Sequence, residues 1–135
     1  MRKNNAKLVG VAVTALLGMS AWAGYKYDYT VHVYNSSDGA GNASGTLSGA
    51  RNSPDSAQHI GCRIYSYGSG GNTELQCTAV SSNNVGGWCY STDPALISLM
   101  QSIKGDSYIS FYWNTSAKCT YVSVENSSYY APKNP

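Results

Sequence analysis

The stretch Ile60-Gly61-Cys62-Arg63-Ile64-Tyr65-Ser66-Tyr67, followed by Gly68-Ser69-Gly70-Gly71-Asn72 and then Thr73-Glu74-Leu75-Gln76-Cys77-Thr78-Ala79-Val80, decides the fold. Two segments rich in β-branched and aromatic residues flank a glycine-rich turn, the pattern of a β-hairpin. Setting Ile64 opposite Leu75 sets Cys62 opposite Cys77, so one hairpin register brings two sulfurs to the same face. Ser81-Ser82-Asn83-Asn84 makes a further turn, and Gly86 to Ser91 returns as a third strand carrying Trp88 and Cys89.

Outward from this core the signals alternate between strand and punctuation. Thr92-Asp93-Pro94 opens a helix, because a capping Thr or Asp before a proline at the first helical position is a specific start signal. Leu96, Leu99, Met100 and Ile103 recur at helical spacing, so one apolar stripe is predicted over Pro94 to Lys104, with Gly105 available as the left-handed cap. Ser107 to Trp113 and Lys118 to Asn126 form a last hairpin around Asn114-Thr115-Ser116-Ala117. Within it Ile109, Phe111 and Trp113 share one face with Val122 and Val124, while Tyr108, Tyr112 and Tyr121 take the other.

Towards the N-terminus, Tyr25, Tyr27, Tyr29, Val31 and Val33 alternate with Lys26, Asp28, Thr30 and His32, which predicts a first strand over Gly24 to Asn35. Ser36 to Gly49, built from Ser, Gly, Ala, Asn and Asp around Leu47, reads as a long mobile loop with at most a short strand near Thr46 to Ser48. Ser127 to Pro135 reads as a frayed polar tail. The expected fold class is mainly β: a small antiparallel sheet or β-sandwich with one amphipathic α-helix packed on it.

The first 23 residues differ from all of this. Arg2, Lys3 and Lys7 precede an apolar run from Leu8 to Met19, and Ala21-Trp22-Ala23 offers a small-x-small cleavage site. That arrangement is expected of a secretory signal peptide, and its apolar run is shorter than the roughly 20 residues needed to span a bilayer. Residues 24–135 are then one domain, secreted or periplasmic, with no membrane span. The whole chain carries a formal charge of +2, but the leader holds three of the nine cations. Six Lys and Arg against seven acids leave the mature domain near −1. Without a basic patch, nucleic acid is not expected as a partner.

Four cysteines remain in this exported segment: Cys62, Cys77, Cys89 and Cys119. Their spacing lacks the paired knuckles of a zinc site, so two disulfides are expected and no metal or other cofactor. The hairpin register favours Cys62 with Cys77, leaving Cys89 with Cys119; Cys77 with Cys89 suits the next turn almost as well.

Chemistry-bearing residues are sparse. His32 and His59 are the two imidazoles. A small hydrolase around His59, Asp55 and Arg51, or a ribonuclease using His32 and His59, can be written, but residues so close in sequence seldom form a triad, and no G-x-S-x-G elbow is present. Asp38-Gly39-Ala40-Gly41-Asn42 lacks the oxygen-ligand spacing of a calcium loop. Asn35, Asn42, Asn114 and Asn126 each open an N-x-[ST] triplet, a pattern that arises by chance in a chain this rich in Asn and Ser.

Tyrosine is the unusual component: twelve Tyr against a single Phe. Tyr25, Tyr27, Tyr29, Tyr34, Tyr108 and Tyr112, together with Tyr65, Tyr67 and Tyr121, are candidates for an aromatic face that binds an extracellular glycan or protein. The expected role is a non-catalytic binding or structural module of the cell envelope or extracellular space. The alternatives are an enzyme inhibitor acting through disulfide-pinned loops, or the small hydrolase above.

Overall fold

A computed structural model of the chain describes residues 26–132 and 134. The leader expected over residues 1–23, and Tyr25, lie outside the described residues. Seven strands fall into two antiparallel sheets. The three-stranded sheet is β3 (His59–Ser66), β4 (Thr73–Val80) and β5 (Gly86–Ser91), in sequence order. The four-stranded sheet has the order β1 (His32–Asn35), β2 (Gly41–Thr46), β6 (Tyr108–Trp113), β7 (Cys119–Glu125).

The central hairpin has the expected register: Ile64 pairs with Leu75 and Cys62 with Cys77. Cys77 also faces Cys89 across β4 and β5, so three cysteines stand in one row. Cys77 bonds Cys62, with Cα atoms 4.0 Å apart. Cys89 turns instead to Cys119 on the other sheet, with a Cα separation of 5.0 Å. One bridge therefore pins a hairpin and the other pins the two sheets together.

Between the sheets lies one core. Leu75, Cys77, Ala79 and Cys89 from the small sheet meet Ala43, Ile109, Phe111, Trp113 and Val122 from the large one and Val31 just before β1, all buried. The Trp113 ring occupies space that two glycines leave open: a Cβ on Gly41 or Gly87 would approach it to 2.4 or 2.3 Å. The apolar face of β6 and β7 follows the sequence alternation, with one interruption. Register slips by a residue between Tyr112 and Trp113, so that Trp113 pairs with Cys119. This bulge turns Cys119 inward, where its side chain meets Cys89.

Four expectations are corrected. Residues 36–49 hold strand β2 and the start of a second helix, α1 (Leu47–Asn52), rather than a loop. Small residues suit β2 because Gly41, Ala43 and Gly45 face the core under Trp113 and Val31, where larger side chains do not fit. Asp38 caps the tight β1–β2 turn by accepting from the Ala40 amide at 3.1 Å, with Gly39 at φ +91°. Thr46 then caps α1: its Oγ1 accepts from the Gly49 amide at 3.0 Å and donates to the Tyr29 carbonyl at 3.1 Å.

The strand predicted over Gly24 to Asn35 is reduced to β1 plus an isolated bridge between Tyr27 and Tyr130. The helix predicted to Lys104 ends earlier, as α2 (Pro94–Met100), capped by Asp93 Oδ1 accepting from Ala95 at 2.8 Å. Met100 is buried and Leu96 and Ile103 pack on the core, whereas Leu99 is exposed. Gly105 is not the cap; Gln101 is, in right-handed helical conformation.

The C-terminal segment is docked rather than frayed. Tyr130 is 6% exposed, the Tyr27 amide donates to the Tyr129 carbonyl, and Asn52 holds both the Pro132 carbonyl and the Asn134 amide. Among the described residues no helix is long and apolar enough to cross a membrane.

Candidate functional site

The outer face of the four-stranded sheet is read directly from its register. Alternation along β6 puts Tyr108, Ser110 and Tyr112 outward, since Ile109, Phe111 and Trp113 are buried. Across the strands, Tyr34, Asn42, Tyr112 and Tyr121 form one row, and His32, Ser44, Ser110 and Ser123 form the next. Thr46, Tyr108 and Glu125 form the third. A row of small hydroxyl side chains thus runs between two rows that carry tyrosines.

The result is a trough of about 410 Å³ lined by Tyr108, Ser110, Tyr112, Tyr121 and Ser123. Its two tyrosine rows are four residues apart along β6, about 13 Å at strand rise. On one side Tyr112 and Tyr121 pack edge to face, with ring centroids 5.2 Å apart, and are 45% and 51% exposed. On the other, Tyr108 stacks on Tyr130 at 5.8 Å and meets the edge of Tyr29 at 5.6 Å. Tyr27 continues the cluster by stacking on Tyr29 and leaning on Tyr129. Burial, followed by the hydrogen bond to Glu125, raises the Tyr130 hydroxyl above its ordinary value.

Of the tyrosines proposed from sequence, the fold brings Tyr27, Tyr29 and Tyr108 into one cluster and sets Tyr112 across the trough from it. Tyr34 stands in the same row as Tyr112, two strands away, and is exposed. Tyr25 lies outside the described residues. From sequence Ser123 is set outward beside Tyr121, but Ser44 and Ser110 are not singled out. A signal exists in β6 and β7, where Ser110 lies two residues from Tyr108 and Tyr112, and Ser123 two from Tyr121; Ser44 has no such neighbour and joins the row only through its pairing with Ser110.

Asp55, His59 and Arg51 each hydrogen-bond to a different backbone group. Asp55 Oδ1 accepts from the amides of Ala57 and Gln58 at 2.9 and 2.7 Å, and its other oxygen accepts from the Gln58 side chain. The Gln58 amide group, foremost, holds this carboxyl down at about 2. His59 Nδ1 faces the Ala57 carbonyl at 3.3 Å, and Arg51 donates to the Gly105 carbonyl at 2.7 Å. Asp55 therefore shapes a turn, and no hydrogen bond joins it to His59. His32 lies at the far edge of the serine row, within 3.4 Å of the Thr30 hydroxyl.

Another depression, about 540 Å³ between β4 and α2, is lined by neutral side chains such as Asn72, Thr92, Ser98 and Gln101, with no aromatic ring among its described lining residues. Two disulfides are compatible with an extracellular or periplasmic location. No protein-family model, curated protein or solved structure matches the chain.

Proposed function

We propose that the protein is an exported, non-catalytic binding module and that the Tyr108–Tyr112–Tyr121 trough takes a neutral glycan. The observation that carries this reading is the pair of half-exposed rings, Tyr112 and Tyr121, standing over a floor of serine hydroxyls. Aromatic faces attract the weakly positive C–H faces of a sugar ring, while hydroxyls exchange hydrogen bonds with its rim. The lining contains no charged side chain, which favours an uncharged ligand. The Tyr108 wall is backed by Tyr29 and Tyr130, and Tyr112 and Tyr121 brace each other edge to face, so less side-chain freedom is lost on binding. Export is supported by the leader sequence and by the two disulfides.

The test is co-sedimentation of the purified, oxidised protein with cellulose, chitin and starch, alongside electrophoresis through gels containing soluble neutral glycans. Saturable retention by at least one polymer is expected. Tyr112→Ala or Tyr121→Ala should weaken it about tenfold or more, the loss typical of a central aromatic contact. Absence of retention by every neutral polymer, or retention unchanged in the double variant, overturns the reading.

A further inference from the structure

The far side of the sandwich carries a second aromatic surface of different charge. Alternation in the three-stranded sheet turns Leu75, Cys77 and Ala79 inward and leaves Glu74, Gln76 and Thr78 outward. In register with these, Trp88 lies beside Thr78, and Tyr90 beside Gln76, which in turn neighbours Arg63. Trp88 and Tyr90 are stacked, with centroids 6.1 Å apart and planes 24° from parallel. Trp88 is 48% exposed, whereas Trp113 is 5% exposed in the core. An indole left in water on a flat sheet face is a feature of binding surfaces more than of solvated ones.

Two cations frame this surface. Lys118 Nζ sits 5.5 Å from the centre of the Tyr90 ring, and the Arg63 guanidinium lies 5.4 Å from that of Tyr65. Neither has a carboxylate partner among the described residues. The one acid on this face, Glu74, is occupied in accepting the Tyr65 hydroxyl. Arg63 and Tyr90 stand two strands apart, about 10 Å. Over β3 and β4, on the Arg63 side, a depression of about 340 Å³ is lined by Gly61, Cys62, Arg63, Gln76 and Thr78.

We infer that the Trp88–Tyr90 face is a carbohydrate site separate from the trough, selective for sugars bearing a carboxylate. A uronate ring stacks on Trp88 and Tyr90, its hydroxyls meet Gln76 and Thr78, and its carboxylate meets the forked guanidinium of Arg63. Packing against Tyr65 pre-orients that guanidinium. Charge complementarity sets the class of ligand: this face is cationic within a domain of nearly balanced charge, and the trough on the other sheet has no charge at all. Single-stranded nucleic acid also stacks on aromatics beside cations, but it favours a continuous basic track. The inference extends the glycan reading to another face and does not depend on the trough.

Because Trp113 is enclosed, a ligand-induced change in tryptophan emission of the protein without its leader reports Trp88 and this face. The test titrates the oxidised protein with oligomers of galacturonate, mannuronate and glucuronate, with their carboxyl-reduced counterparts, with polyglutamate and with oligothymidylate. At least one uronate oligomer is expected to change Trp88 emission saturably. Affinity should fall about tenfold or more on carboxyl reduction or in Arg63→Gln, as loss of a charge-assisted contact predicts. Lys118→Gln should weaken binding less, and Tyr112→Ala should leave it unchanged. No response to any of the three uronates overturns the inference, as does an equal response to the reduced oligomers, polyglutamate or oligothymidylate. Neutral-glycan retention in Trp88→Ala, scored separately, tells failure here from failure of the trough.

Discussion

Trp113 lies so close to Gly87 that a Cβ on the glycine would stand 2.3 Å from the ring's Cη2. The two residues belong to different sheets, so this contact sets how nearly β5 and β6 approach. Gly87→Ala is expected to destabilise the protein by about 1–3 kcal/mol through overpacking. Gly105→Ala, where a Cβ meets nothing within 4 Å, should stay within about 0.5 kcal/mol. Urea unfolding of the two variants checks this; equal midpoints would show that the ring has room to move.

The two disulfides should differ in weight. Cys62 and Cys77 join strands already held by eight register pairs, whereas Cys89 and Cys119 join two sheets. Chain-entropy arithmetic gives about 3 kcal/mol for the shorter loop and about 3.6 for the longer. Replacing Cys89 and Cys119 together by Ala should therefore lower the unfolding midpoint more than replacing Cys62 and Cys77. Peptide mapping without reductant should recover the two cross-links unmixed. A smaller loss for the Cys89–Cys119 pair would contradict its role as the inter-sheet tie.

Asp55 makes stability sensitive to acid. Its carboxyl is held at about 2 in the folded chain, below the ordinary 3.8, chiefly by the Gln58 side chain. A depressed folded value means the stabilisation is complete above pH 4 and is lost as pH falls towards 2. Asp55→Asn should therefore unfold more readily than the parent at pH 6, and the gap should narrow at pH 2.5. Melting temperatures across that range measure it, and a gap independent of pH would refute the assignment.

Tyr130 is expected to anchor the C-terminal segment. It is buried against Tyr108 and Tyr29, so Tyr130→Ala should cost about 3 kcal/mol, in the range of a large buried aromatic. Its raised hydroxyl adds an alkaline signature: stability is full below pH 10 and declines above it. Tyr130→Phe should weaken that decline. Hydrogen exchange at the Ala131 amide, which donates to Tyr27, gives an independent readout of docking.

How far the sequence was legible depended on whether a signal was local. The β3–β4 hairpin and its register followed from alternating residues around a glycine-rich turn, and Asp93-Pro94 marked the start of α2 correctly. Strand β2 was missed because Gly41-Asn42-Ala43-Ser44-Gly45-Thr46 has the composition of a loop. Its small residues are required by Trp113 and Val31, which are distant in sequence. Likewise the tail reads as frayed from sequence, because its partners Tyr27, Asn52 and Tyr108 are distant along the chain. Of the trough, the tyrosines were visible as an excess, but their grouping around Ser110 and Ser123 needed three strand registers at once.

By itself the sequence determined the mainly β class, the central hairpin and the presence of paired cysteines, because side-chain periodicity and turn chemistry act over a few residues. The hairpin register favours Cys62 as the partner of Cys77, and the disulfide found is that one. Tertiary structure decided against the rival Cys89, which stands opposite Cys77 on the other side. The deciding event lies in β7, where a one-residue bulge reverses the alternation that Val122 and Tyr121 set and turns Cys119 towards Cys89. A strand's period of two fixes faces only until one extra residue is inserted. Nothing local in Lys118-Cys119-Thr120-Tyr121 announces that insertion; the facing sheet does.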